Sequence, residues 1–188
     1  MNKTVQQNQA EVQGVTITAA PFRLPDAAST MEDALSKALD YCAEKLNLQG
    51  PQGSLEKVRQ GDQKALEYCH YRLAQEVAEA LGAFDDNVWS VLLYEFEATP
   101  EDRAFGDRPE ALPIHLLVRV ARKTSALSSF VAALDRVLVK KYTELVGPRR
   151  LGHVLDVQVI DNSDVDSNRG LATLLYSLYN RPIQLWVR

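Results

Sequence analysis

Apolar and polar residues alternate along two stretches in the second half of the chain, residues 114–121 and 154–160. This two-residue period predicts β-strands, because successive strand side chains point to opposite faces. Between them, over residues 125–145, apolar residues recur mostly at steps of three and four. This spacing predicts an amphipathic helix, which Thr124 or the next residue can cap, and so a crossover unit with parallel strands. The stretch 88–96 is apolar on both faces, as in a central strand, and is expected to form a hairpin with 114–121.

The first half of the chain shows the helical period twice. One predicted helix starts at Ser29, where Glu32 three residues later completes a capping-box pattern, and it ends in a stretch rich in glycine and proline. A short helical turn is expected at residues 54–59. A second long helix is predicted over residues 62–81, with Gly82 in position to end it. The two long helices are expected to pack as a hairpin that covers the sheet.

Toward the C-terminus, a further helix is predicted to start at Ser163 or Asp164. Residues 183–187 are predicted to form a closing strand, with Ile183, Leu185 and Val187 on one side and Gln184 and Trp186 on the other. The apolar stripe of this helix is Leu171, Leu174, Leu175 and Leu178. Residues 14–19 could add a strand at a sheet edge. The element order predicts an α/β (or α+β) fold: a mixed four- to five-stranded sheet with crossover helices and an N-terminal helical hairpin.

The length of 188 residues suits one domain with a proper core, so we expect a single α/β domain over residues 14–188. The polar residues 1–13 are expected to form a flexible tail. Residues 99–113 contain three prolines and four acidic residues, which predicts a long loop. Phe105 within it either pins the loop to the core or contacts a partner, and pinning is the simpler interpretation.

Composition excludes two broad classes. No apolar run approaches the roughly 20 residues that span a bilayer, and the first residues lack the apolar segment of a signal peptide. The only two cysteines, Cys42 and Cys69, each fall on an apolar helix face, which argues against a disulfide scaffold. We therefore expect a cytoplasmic protein with reduced thiols and no membrane association.

The net charge of −4 is unevenly distributed: residues 1–112 carry −9, residues 113–155 carry +6 and residues 156–188 carry −1. Either the acidic and basic segments face each other or balance in solvent, or the basic segment forms a surface for a polyanion. The candidate anion-binding residues are Arg119, Arg122, Arg136 and Lys140. Nucleic acid is a weakly supported partner, because few aromatic residues interleave with these positions to stack on bases.

Four aspartates, Asp156, Asp161, Asp164 and Asp166, lie in or just beyond the predicted strand at 155–160. We expect that strand to be an inner one that carries its acidic tail to the rim of the sheet, where ligands bind in open α/β sheets. Several carboxylates so close together could hold Mg²⁺ or Ca²⁺, although their spacing does not match an EF-hand. The simpler interpretation is that these residues cap a helix, since acids suit a first helical turn.

Sequence signatures of common active sites are absent: there is no nucleophile elbow, P-loop, G-x-G-x-x-G or paired C-x-x-C. The leading hypothesis is therefore a non-catalytic binding or assembly protein that associates with itself or with a protein partner and needs no cofactor. The rival is a divalent-cation-dependent enzyme acting on a phosphorylated substrate or nucleic acid. In the rival, Asp156, Asp161 and Asp164 would bind the cation and Arg119 or Arg122 the anion.

Overall fold

A computed structural model of the protein describes residues 24–94, 114–147, 152–177 and 181–188. For residues 24–26 it describes the backbone alone. Several predicted features lie outside these ranges: the tail at 1–13, the strand at 14–19, the loop at 99–113 with Phe105, and Leu178. The assignment of residues 14–188 to a single domain stays a prediction.

The described residues form six helical segments and four strands. In chain order they are α1 (Leu24–Leu46), α2 (Gly50–Arg59), α3 (Gln63–Phe84), β1 (Val88–Leu93), β2 (Ile114–Val120), α4 (Ser125–Val146), β3 (Leu155–Ile160), α5 (Asn162–Asp166), a 3-10 helix (Gly170–Tyr176) and β4 (Ile183–Val187). Within the described ranges, no helix combines the length and hydropathy that crossing a membrane would require.

The four strands form one mixed sheet in the order β3-β2-β1-β4, which confirms the predicted α/β fold. β1 pairs antiparallel with both β2 and β4, while β2 pairs parallel with β3. The predicted antiparallel pairing of β1 with β2 and the parallel crossover through α4 are both present. β1 lies between two other strands, as its apolar residues on both faces predict.

Among the strands that the structure describes, β3 lies at an edge of the sheet, and the predicted inner position of residues 155–160 is wrong for this four-stranded arrangement. The inner position belongs to β2, where Leu116, Leu117 and Val118 are all fully buried. β3 instead has a half-buried Asp156 and an exposed Gln158 in its middle. An edge position keeps these polar side chains close to solvent, and a charge there discourages pairing with another strand.

Three long helices, α1, α3 and α4, pack against one face of the sheet, which we call the helix face. Their apolar stripes meet side chains such as Val91 of β1 and Val118 of β2 in the main core. The largest fully buried helical side chains there are Met31, Leu73, Leu81, Leu127, Leu134 and Leu138. α1 and α3 pack together as the predicted hairpin, with Lys37 bound to the buried Glu76 at 2.7 Å.

Two helix starts differ from the prediction. α1 begins at Leu24 and not at Ser29, because Pro25 is compatible with a first helical turn, where its missing N–H is not needed. Ser29 therefore lies inside the helix, and Glu32 contacts Lys141 of α4. The predicted turn at 54–59 is the second part of α2, which begins at Gly50 with a proline in its first turn.

The end of α3 also differs, and Gly82 has another role. The helix continues to Phe84, so Gly82 is not its terminating residue. A Cβ added at Gly82 would overlap the indole ring of Trp186 on β4. The glycine therefore allows helix and strand to approach closely, which periodicity along the chain does not reveal.

The single helix predicted after β3 is two short segments, α5 and the 3-10 helix. Asn168 and Gly170 adopt positive φ angles of 49° and 55°, which end the α-helical path between the two segments. The 3-10 helix lies on the face of the sheet opposite the helix face. Its Ala172 is buried with Leu117 and Ile160 in a second cluster, against which Leu171, Leu174 and Leu175 also pack.

Candidate functional site

The sheet face opposite the three long helices carries most of the candidate functional side chains. His115, Leu117 and Arg119 of β2 point to this opposite face in alternation, since Leu117 packs in the second cluster. The 3-10 helix covers the middle, so the polar residues separate into two groups. One lies at the amino-terminal ends of β2 and β3, and the other at their carboxyl ends.

At the amino-terminal ends, Asp156 pairs with His115. Their Cα atoms are partners in the parallel register, and His115 Nδ1 lies 2.9 Å from Asp156 Oδ2. Gln158 Nε2 donates to the other carboxylate oxygen at 2.9 Å. The Tyr94 ring lies 5.4 Å from the His115 ring, and burial, with a smaller contribution from the Asp156 charge, raises the pKa of Tyr94 to about 12. Asp156 thus orients the imidazole, and Tyr94 remains a protonated phenol at neutral pH.

At the carboxyl ends, Asp161 and Asp164 form a capping box at the start of α5. The Asp164 N–H donates to Asp161 Oδ1 at 3.2 Å, and the Asp161 N–H donates to Asp164 Oδ2 at 3.1 Å. Lys123 Nζ lies 2.7 Å from Asp164 Oδ2. Its hydrogen bond, followed by that from the Asp161 N–H, lowers the pKa of Asp164. These two aspartates therefore act as helix caps, the simpler interpretation of their position.

The structure brings together only part of the predicted metal set. Asp161 and Asp164 share the capping box, but Asp156 lies five strand residues earlier, about 16 Å away at roughly 3.3 Å per residue. Asp166 is exposed at the last position of α5. In the part of the chain that the structure describes, no three His, Cys, Asp or Glu side chains are grouped so as to hold a metal ion. The metal site stays a prediction.

The predicted anion-binding residues are divided between the two sides of the sheet. Arg119 lies on the opposite face, where its Nη2 donates to Asn162 Oδ1 at 3.4 Å. Arg122 is exposed just beyond β2. Arg136 and Lys140 are exposed on α4, which packs on the helix face. The four cations do not form one surface, so a single anion cannot contact all of them.

The same sheet face presents exposed apolar side chains near β4. Trp89 is 36% exposed and Val187 is 58% exposed. A bulge in β1 turns Trp89 and Ser90 to this face, and Ser90 is the register partner of both Arg119 and Val187. We call the surface formed by Trp89, Ser90, Gln184 and Val187 the β1/β4 face.

Sequence reasoning missed this surface, because residues 183–187 were expected to place Ile183 and Val187 on one side. The register between β1 and β4 shifts by one residue near Leu185, so the two side chains point to opposite faces of the sheet. The exposure of Trp89 was also missed, since aromatic residues in a central strand are usually covered.

The β1/β4 face carries no charged residue of its own. The neighbouring Arg119 guanidinium lies 5.3 Å from the centre of the Trp89 ring, a cation–π distance. Arg188, which directly follows β4, points toward α3 instead. Its guanidinium binds Asp86 Oδ1 at 2.7 Å and the Gly82 carbonyl at 3.0 Å. The surface is therefore neutral and partly apolar.

Comparisons with known proteins do not assign this chain to a family. Neither the protein-family models, nor the curated proteins, nor the solved structures contain a match to this chain.

Proposed function

We propose that this protein is a non-catalytic binding and assembly protein that associates with itself through the β1/β4 face. The observation that carries the proposal is the pair of exposed apolar side chains, Trp89 and Val187, on a sheet face that none of the described long helices covers. Burial of such side chains in an interface is favourable, and tryptophan is among the residues that contribute most to binding.

A second copy of the chain suits this surface better than a charged partner. In a twofold dimer the same patch faces itself, so any charge on it would meet a like charge. The four residues of the β1/β4 face, Trp89, Ser90, Gln184 and Val187, are uncharged, and the neighbouring Arg119 guanidinium lies against the Trp89 ring. Two sheets can then pack face to face at about 10 Å, with their side chains interdigitating.

The uneven charge of the chain does not drive this association, because part of it is neutralised internally. Glu32 of the acidic segment contacts Lys141 of the basic segment, and Lys123 binds Asp164. These contacts join α1 to α4, and the turn after β2 to α5. The contact between Glu32 and Lys141 supports the interpretation in which acidic and basic segments face each other within the chain, whereas Asp164 belongs to the third segment, whose net charge is −1.

The cysteines support a reducing, cytoplasmic compartment for the assembly. Cys42 and Cys69 are both free thiols buried between α1 and α3. Each thiol donates to a backbone carbonyl at 3.7 Å, Cys42 to Ala65 and Cys69 to Ala38. Burial, together with the neighbouring Cys42, raises the pKa of the Cys69 thiol. Both cysteines therefore act as apolar packing residues, and the Cys69 thiol remains protonated.

Sedimentation velocity over a range of protein concentrations tests the proposal. The protein is expected to reach twice the mass of one chain. Val187→Asp should raise the dimer dissociation constant about tenfold or more, because a twofold interface would bury two like charges. Val187 is mostly exposed, so this change should leave the fold intact.

Ser129→Asp on the exposed side of α4 is the matched control, and it should leave the dissociation constant unchanged. A wild-type chain that remains monomeric at every concentration would refute the proposal. Equal weakening by both variants would also refute it, because it would show an effect of net charge and not of this surface.

A further inference from the structure

A shallow pocket of about 220 Å³ opens beside β3, on the face of the sheet opposite the long helices. Its apolar floor includes Ile160 of β3 and Leu171 of the 3-10 helix. Its polar rim consists of Lys123, Gln158, Asp164 and Arg169. The pocket lies near the carboxyl ends of the parallel strands β2 and β3, the region where ligands bind in open α/β sheets.

The rim has more positive than negative charge. Lys123 and Asp164 form an ion pair at 2.7 Å, and the Arg169 charge also acts on the Asp164 carboxylate from a greater distance, so two cations face one carboxylate on this rim. Arg169 is held by its backbone, whose N–H donates to the Asp164 carbonyl at 3.0 Å, while its side chain is exposed. Among the described residues, none forms an ion pair with its guanidinium. The Arg169 side chain is therefore available to bind an anion.

We propose that this pocket binds a small organic anion. Its carboxylate or phosphate group lies between Lys123 and Arg169, and its apolar body lies on Ile160 and Leu171. An arginine binds such groups through two parallel hydrogen bonds, and the Gln158 amide can donate a further one.

Size and charge restrict the class of ligand. The pocket is smaller than the roughly 300–1,000 Å³ of sites that take drug-sized molecules, so the ligand is small. The Asp164 carboxylate on the same rim repels additional negative charge, which disfavours polyphosphates and nucleic acid. This site is separate from the β1/β4 face, because β3 and β4 are opposite edges of the sheet.

Titration of the ¹⁵N-labelled protein with four probes, followed by NMR, tests the inference. Phenyl phosphate and benzoate combine an anionic group with an apolar ring, and whichever binds more tightly identifies the preferred group. Benzyl alcohol lacks the charge, and inorganic phosphate lacks the ring. The better ring anion is expected to shift the amides of Ile160, Asp164 and Gly170 saturably. It should bind about tenfold more tightly than benzyl alcohol or inorganic phosphate.

Arg169→Gln should raise the dissociation constant of that ring anion about tenfold, by removing hydrogen bonds to a charged group. Arg136→Gln is the matched control, since it removes one exposed positive charge from α4, on the other side of the sheet. The absence of saturable shifts with both ring anions would overturn the inference. So would equal weakening by the two variants, or inorganic phosphate binding as tightly as the ring anion.

Discussion

At the scale of single residues, His70 makes the stability of the fold depend on pH. It lies on α3 with its ring 6.4 Å from that of Tyr142, and burial lowers its pKa from 6.5 to about 4. Between about pH 4 and pH 6.5, His70 is protonated in the unfolded chain and neutral in the folded chain, so the unfolded chain binds more protons. The free energy of unfolding therefore falls as the pH drops through this window.

We expect His70 to account for a loss of up to about 3 kcal/mol between pH 7 and pH 4, less where solvent reaches the ring. His70→Gln should flatten this part of the pH dependence, as measured by chemical denaturation at several pH values. His153→Gln is the control: it changes an exposed histidine, and the pH dependence of the free energy of unfolding should match that of the wild type. An unchanged slope in His70→Gln would show that the ring is solvated in the folded protein.

The aspartates at the start of α5 give a second prediction at this scale. Asp161 and Asp164 already accept backbone hydrogen bonds, and Asp164 also binds Lys123. We therefore expect Mg²⁺ or Ca²⁺ to leave the Tm unchanged relative to NaCl of matched ionic strength. The cation-dependent enzyme predicts the opposite, because a ligand at about a hundredfold its Kd stabilises the folded state by about 2.7 kcal/mol. A Tm increase specific to the divalent ion would therefore favour that rival.

At the scale of secondary-structure elements, the contact between Gly82 and Trp186 joins α3 to β4. Gly82→Ala should lower the free energy of unfolding by about 1–2 kcal/mol, because overlap with the indole ring outweighs the better helix propensity of alanine. Chemical denaturation measures the loss. Gly152→Ala, where an added Cβ meets nothing within 4 Å, should cause little change.

Trp186→Leu removes the ring and tests the cause of that loss. Gly82→Ala should cost less in the Trp186→Leu background than in the wild type, since the two substitutions act on one contact. Strict additivity of the two changes would contradict a direct clash between them.

The elements show what periodicity can and cannot predict. The β2, α4 and β3 segments were predictable because their apolar spacing is regular, and Thr124 caps α4 by accepting from the Leu127 N–H at 3.2 Å. The break after α5 was not predictable from this spacing, because it depends on the backbone angles of Asn168 and Gly170. The face occupied by Val187 was not predictable either, since a bulge changes the register without changing the pattern of apolar residues.

At the scale of the whole molecule, strand order decides which candidate residues meet. The sequence offers His115, Arg119 and Arg122 as possible partners for Asp156, an acid in mid-strand, and the parallel pairing of β2 with β3 selects His115. It did not indicate that Arg119 and Arg136 lie on opposite sides of the sheet. Nor did it reveal the pocket, which forms only when Lys123 and Arg169, far apart in the chain, meet at one edge.

The same strand order constrains the assembly of the fold during synthesis. β1 pairs on one side with β2, the next strand along the chain, and on the other with β4, the last strand of the sheet. A nascent chain in which residues 183–187 are still in the ribosomal exit tunnel cannot yet supply β4. Until they emerge, the row of N–H and C=O groups on that side of β1 lacks this strand partner, so the pairing of β1 with β4 is the last of the described strand pairings to form.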